Sequence, residues 1–164
     1  MSAGRRTYAQ LQDLHRRLGR DILLSWAGPS GAFIDGDLAA RSRPGLNGSV
    51  IDLDVAAEVP QAVQFLVNRL STRRGELAPL GHPDYGSRHH ELIGEPNTDR
   101  TRNLVKLYIL EALRQEPRVS KVQRCIVRSL PHEQSVVRVE LTVRLLDRDE
   151  PLNLVVPVDL GGAP

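Results

Sequence analysis

In the C-terminal third of the chain, apolar residues fall on every second position. Val137, Val139, Leu141, Val143 and Leu145 alternate with Arg138, Glu140, Thr142 and Arg144, and Leu152, Leu154, Val156, Val158 and Leu160 repeat the pattern. A period of two sends successive side chains to opposite faces, which predicts two strands, each covered on one side. The polar residues 147–151 between them predict a hairpin turn, and residues 119–130 supply a third, less regular strand. Pro157 has no N–H to give a ladder, so the last strand is expected at a sheet edge.

Upstream the period lengthens. Val59, Ala62, Val63, Leu66 and Leu70 lie at helical spacing. They predict a helix over residues 58–70, with Pro60 in the tolerant first turn. Thr98 as N-cap and Asp99 in the first turn, where a negative charge suits the helix dipole, announce a second helix. Leu104, Val105, Leu107, Tyr108, Ile109, Ala112 and Leu113 give it a broad apolar surface, as expected of a central buried helix. It should run to about Gln115, because Pro117 pushes the residue before it out of the helical region. Ile51, Leu53 and Val55 alternate with Asp52 and Asp54 as a short half-buried strand would. Two main helices against a small antiparallel sheet make an α+β domain over residues 50–164.

Residues 1–49 read as an N-terminal arm. Leu11, Leu14 and Leu18 suggest a short amphipathic helix within the first twenty residues. Residues 28–49 are rich in Gly and Pro, with Ala32 to Ile34 as their apolar island. They predict irregular structure, a hairpin at most, that orders against a neighbour.

Composition narrows the function. The chain has 164 residues, 40% apolar and 26% charged, ordinary values for a soluble globular protein. A formal charge of +2, spread along the chain, argues against nucleic acid as a partner. Lys106 and Lys121 are the only lysines among many arginines. Arginine forks suit carboxylates at protein interfaces, although a GC-rich genome gives the same bias. Cys125 stands alone, so it predicts an inert buried thiol rather than a disulfide or thiolate metal site. No continuous apolar stretch follows Arg5 and Arg6, so no signal peptide is expected, and nothing approaches the roughly 18 apolar residues of a membrane span. The expected location is cytoplasmic at synthesis.

The most informative stretch surrounds the second helix. Thr72-Arg73-Arg74-Gly75-Glu76-Leu77 is followed by Pro83-Asp84-Tyr85-Gly86-Ser87, then by Glu116-Pro117-Arg118. In this order the segments resemble the baseplate wedge family of contractile injection systems. That family includes phage baseplate assembly protein W, the TssE subunit of type VI secretion systems and counterparts in extracellular injection systems. The resemblance covers roughly residues 51–160. It implies an α+β domain like the handshake domain of sheath subunits, and a structural role in the wedge around the central hub, templating the first sheath ring. Its implied partners are other wedge proteins, hub or spike proteins and sheath subunits, in six or more copies per particle. The assembly motif falls on Glu116, Pro117 and Arg118, and the structural turn on Gly75, Glu76, Pro83, Tyr85 and Gly86. The last strand, through Leu154, Val156 and Val158, is the edge expected to accept a strand from another chain. Arg118 could offer its fork to a partner carboxylate or to its own domain, and a local Glu116–Arg118 pair is compatible with both.

Two chemical readings weigh less. Members of the family have carried a lysozyme-like label, and a glycosidase needs two facing carboxylates, one with a raised pKa. Glu76, Glu91, Glu95 and Glu111 are available but sit in no recognisable catalytic motif, and Trp26 is the only tryptophan for stacking sugars. His82, Asp84, His89, His90 and Glu91 crowd together, but neighbouring histidines on a helix point about 100° apart and share an ion poorly. They are expected to be solvated or interface histidines, and no cofactor is expected. Gly28, Gly31 and Gly36 lack the strand, helix and Gly-Lys-Ser/Thr of a phosphate loop.

Overall fold

The computed structural model describes residues 19–26, 36–46, 48–131, 133–146 and 148–161. The helix expected around Leu11, Leu14 and Leu18 and the island from Ala32 to Ile34 lie outside the described residues.

Among the described residues, nine strands and two α-helices follow in order. Six short strands come first: β1 (Arg20–Ile22), β2 (Leu24–Trp26), β3 (Gly36–Leu38), β4 (Ala40–Gly45), β5 (Gly48–Leu53) and β6 (Val55–Ala57). Helices α1 (Glu58–Ser71) and α2 (Asp99–Arg114) precede β7 (Val119–Leu130), β8 (Glu133–Leu145) and β9 (Leu152–Asp159). The last three form one antiparallel sheet in the order β7-β8-β9, so β9 is an edge. Val137, Val139, Leu141 and Val143 of β8 pack inward against both helices, where Leu66, Val105, Ile109 and Leu113 are buried. Cys125 lies buried on β7 as a free thiol. The expected α+β architecture is present.

Three expectations need correction. Within the stretch read as irregular with a hairpin at most, residues 36–38 and 40–45 are strands, and the hairpin is present between β4 and β5, punctuated by Pro44, Gly45 and Gly48. Ile51 and Leu53 alternate as read, but are exposed by 79% and 41% rather than half-buried. Among the described residues, their ribbon has two strands and no layer behind it. Leu107 is also exposed, while the rest of the expected surface holds: Val105, Ile109, Ala112 and Leu113 of α2 are buried, and Leu104 and Tyr108 pack partly buried against the core.

The first six strands make a three-armed junction: β1 pairs β6, β2 pairs β3, and β4 pairs β5. The residues between arms close a ring of backbone hydrogen bonds. Leu23 N donates to Asp54 O, Asp54 N to Ala39 O, and Ala39 N to Leu23 O, each at 2.8 Å. Gln64 of α1 ties the junction to the main domain, its amide bonding Leu24 N and Ile22 O at 2.9 Å each.

Candidate assembly site

The fold brings the motif segments together in layers. Thr72 and Ser87 are joined backbone to backbone: Ser87 N donates to Thr72 O at 2.9 Å and Arg74 N to Ser87 O at 3.1 Å. Gly86 makes this possible. Its φ is +102°, and a Cβ there would stand 2.7 Å from the carbonyls of Thr72 and Arg73. Gly75, at φ +87°, turns the first segment in open space, and the Glu76 carboxylate accepts from Arg73 N at 3.0 Å. Pro83 is exposed at the turn that leads into Tyr85. Arg74 joins both segments to α2 by bonding Asp84 and Glu111, which raises its pKa.

Beneath these turns lies a chain of stacked rings and ion pairs. Glu116 follows α2, and its side chain is only 1% exposed. One carboxylate oxygen accepts from Arg69 Nε at 3.0 Å and the other from Arg118 Nε at 2.6 Å. The Arg69 guanidinium lies 4.5 Å over the Tyr85 ring, and that of Arg118 lies 3.7 Å over Phe65. Burial works to raise the Glu116 pKa, but the hydrogen bond from Arg118 and the charges of Arg118 and Arg69 outweigh it and hold the carboxyl low. Burial pushes the Tyr85 hydroxyl up. Glu116 thus bonds within the domain, and Pro117 carries the chain past it to Arg118, whose side chain is 30% exposed.

Arg69 is absent from the sequence-derived site, although a signal existed. It lies four residues after Phe65 and beside Leu70, in a stripe otherwise buried, and a buried arginine requires a counter-charge.

The histidines divide. His82 is exposed, but His89 is buried, correcting the expectation of a solvated side chain. Its Nδ1 bonds Ser87 Oγ at 2.9 Å and its ring lies 4.1 Å from that of His90, which donates from Nε2 to Leu70 O at 3.0 Å. Burial, aided by His90, lowers the His89 pKa to about 3, leaving it neutral. Both residues lie in a 3-10 turn at His89–Leu92, and their rings, tilted 30° to each other, are each fixed by a separate partner, Ser87 for His89 and the Leu70 carbonyl for His90. They border a groove of about 240 Å³ lined also by Leu70, Ile93, Val156 and Val158, beside the β9 edge. Leu154, Val156 and Val158 turn their side chains into the core, so a strand added at β9 would meet their main chain.

The motif residues of this α+β domain are thus joined by internal ion pairs and hydrogen bonds. The family described as Baseplate wedge protein gp25 matches residues 54–150, more than half of the 164, and the chain belongs to that family of structural baseplate proteins. Among solved structures, a candidate tail lysozyme from Geobacter sulfurreducens superposes with a TM-score of 0.56 at 21% identity, over 66% of this chain and 97% of the other. At that identity it shows a shared fold. No curated protein matches the chain. Among the described residues, no helix is long and apolar enough to cross a membrane.

Proposed function

We propose that this chain joins wedge components around the hub of a contractile, phage-tail-like injection machine and templates the first sheath ring. Six or more copies would make the ring, in contact with other wedge proteins, hub or spike proteins and sheath subunits. The protein would be made in the cytoplasm and end in the baseplate. The observation that carries this reading is the Glu116-Pro117-Arg118 segment. Arg69 and Glu116 form a buried mount, and the guanidinium of Arg118 is held against Phe65 with part of its surface in solvent. That geometry suits a fork offered to a partner carboxylate. The open side of β9 would take the partner's strand. Residues 1–49 and the ribbon that continues them would form an arm with its own contacts.

The name of the Geobacter relative raises a second reading, cleavage of peptidoglycan. Two of the acids weigh against it. Glu91 and Glu116 are both held below the usual carboxylate range, Glu91 by its hydrogen bond from Arg88, whereas a general acid needs a raised pKa.

The test is electron microscopy of particles from cells lacking the protein, rescued with wild type or Arg118→Gln. Absent sheath in the deletion, restored by wild type but not by a folded variant, supports the wedge role and places Arg118 on its assembly surface. Normal sheathed particles without the protein would overturn it. Clearing of cell walls by the purified chain, abolished by a single Glu→Gln change, would favour the enzyme.

A further inference from the structure

Among the described residues, the β7-β8-β9 sheet is covered on one face only. The outer face carries Lys121, Arg124, Arg128, Arg138 and Arg144 around Glu140, at the positions alternate to the buried valines and Leu141. Two cross-strand partners repel: Arg128 stands opposite Arg138, and Lys121 opposite Arg144. Like charges directly opposite destabilise a sheet, and the free domain has few anions to offset them. Glu140 reaches Arg128 at 3.5 Å, and Asp149 of the turn reaches Arg144 at 3.2 Å. Lys121, Arg124 and Arg138 have no ion pair among the described residues.

We propose that this face docks an acidic patch on another protein, whose carboxylates take the forks of Arg124 and Arg138 and the ammonium of Lys121. Charge complementarity sets the sign, and the rest of the face sets the class. Glu140 stands among the cations and would oppose a continuous row of phosphates. Ile126, Val155 and Pro157 interleave with the charges, as at protein contacts, and no aromatic ring of the face offers a base a stacking surface. About eight residues of three strands cover roughly 25 by 12 Å, near 300 Å², below the ~800 Å² per partner of a standard interface. The contact is therefore auxiliary and salt-sensitive, one of several made by a subunit within an assembly. It goes beyond the wedge reading, which gives this face no partner, and stands if that reading fails.

Fluorescence anisotropy with labelled poly-L-glutamate tests it. The whole chain should bind at about 50 mM salt and lose at least about tenfold in affinity by about 300 mM. Arg124→Glu with Arg138→Glu should cost about tenfold or more at low salt. Arg100→Glu with Arg114→Glu, an equal charge change at exposed sites on α2, should cost under about threefold. Arg138→Glu alone should raise the thermal midpoint by roughly 1–3 °C, since it turns a repelling pair into an attracting one. Three results would overturn the proposal: no binding at low salt, equal losses in both double variants, or tighter binding to single-stranded DNA or phosphatidylserine vesicles. The last would reassign the face to nucleic acid or membrane. Sheath assembly is not read in this experiment, so either proposal can fail alone.

Discussion

Replacing Glu116 with alanine removes the carboxylate held by both Arg69 and Arg118. The Glu116 side chain is 1% exposed and that of Arg69 8%, so truncation leaves Arg69 charged and desolvated without a counter-ion. Breaking such a buried pair costs about 3–5 kcal/mol. Arg118, at 30% exposure, can turn to water and adds little. For a chain of this size the thermal midpoint should fall by roughly 6–20 °C, at about 2–4 °C per kcal/mol. Glu116→Gln keeps the volume and one acceptor oxygen, and should cost about 1.5–3 kcal/mol. The double variant Arg69→Met with Glu116→Leu removes both charges and should recover most of the loss, giving a coupling of about 2–3 kcal/mol. Urea unfolding followed by circular dichroism reads these differences as shifts of midpoint at constant slope. The pH dependence is a second check. Because the folded pKa lies below the ordinary 4.5, the carboxylate's contribution is complete above that value and disappears as pH falls through the folded one. Glu116→Gln should therefore flatten the acid limb below about pH 4.5. A cost under about 1 kcal/mol for Glu116→Ala, with additive singles, would refute the coupled buried pair.

Three further outcomes follow from other parts of the fold. His89 has a folded pKa of about 3 against an ordinary 6.5, so between those values the unfolded chain binds a proton the folded chain refuses. Stability is then lost as pH falls, by about 2 kcal/mol at pH 5, and His89→Leu should remove that share in paired urea melts at pH 7 and 5. An equal loss in both proteins would refute it. Gly86→Ala should cost about 3 kcal/mol or prevent folding, since its Cβ meets backbone, while Gly75→Ala, in open space, should cost only about 1 kcal/mol in thermal melts. Gln64→Ala loses both hydrogen bonds to the junction and should speed hydrogen exchange at Leu23, Ala39 and Asp54 by about tenfold or more, leaving β8 unchanged.

What was legible in the chain was whatever depends on near neighbours. Thr98 accepts from Thr101 N as an N-cap should, α2 ends before Pro117, and the alternation of β8 and β9 appears as their register. What was hidden depends on partners distant in sequence. Ile51 and Leu53 carry a strand's alternation, but the pattern cannot report whether a second layer lies behind it. Arg69 lies 47 residues from Glu116, and nothing local shows that they meet. His89 and His90 read as helical neighbours pointing apart, yet their ring centroids lie 4.1 Å apart, with His90 bonded to Leu70 O, 20 residues back. The three-armed junction was illegible for the same reason. Its ring of hydrogen bonds joins Leu23, Ala39 and Asp54 through main-chain atoms, which no side-chain pattern records.

The burial of Glu116 changes what a mutation in this segment can mean. Arg118→Glu, a natural charge reversal at an assembly motif, would place a second carboxylate where Arg118 Nε now stands 2.6 Å from Glu116. Two carboxylates at that distance repel, so the new side chain must turn to water, one must take a proton, or the loop must move. Lost assembly would then report a damaged fold as readily as a lost contact. Arg118→Gln avoids the conflict: it keeps a donor for Glu116 while removing the charged fork and its stacking on Phe65. On the proposed wedge reading, structure and assembly divide within the motif. Glu116 and Arg69 are closed inside, where their loss is felt as stability, and Arg118 is the member with surface left for another molecule. In the proposed contact, the hydrogen bond to Glu116 and the stacking on Phe65 would hold the Arg118 guanidinium in place before a partner arrives, which lowers the entropy that docking must overcome.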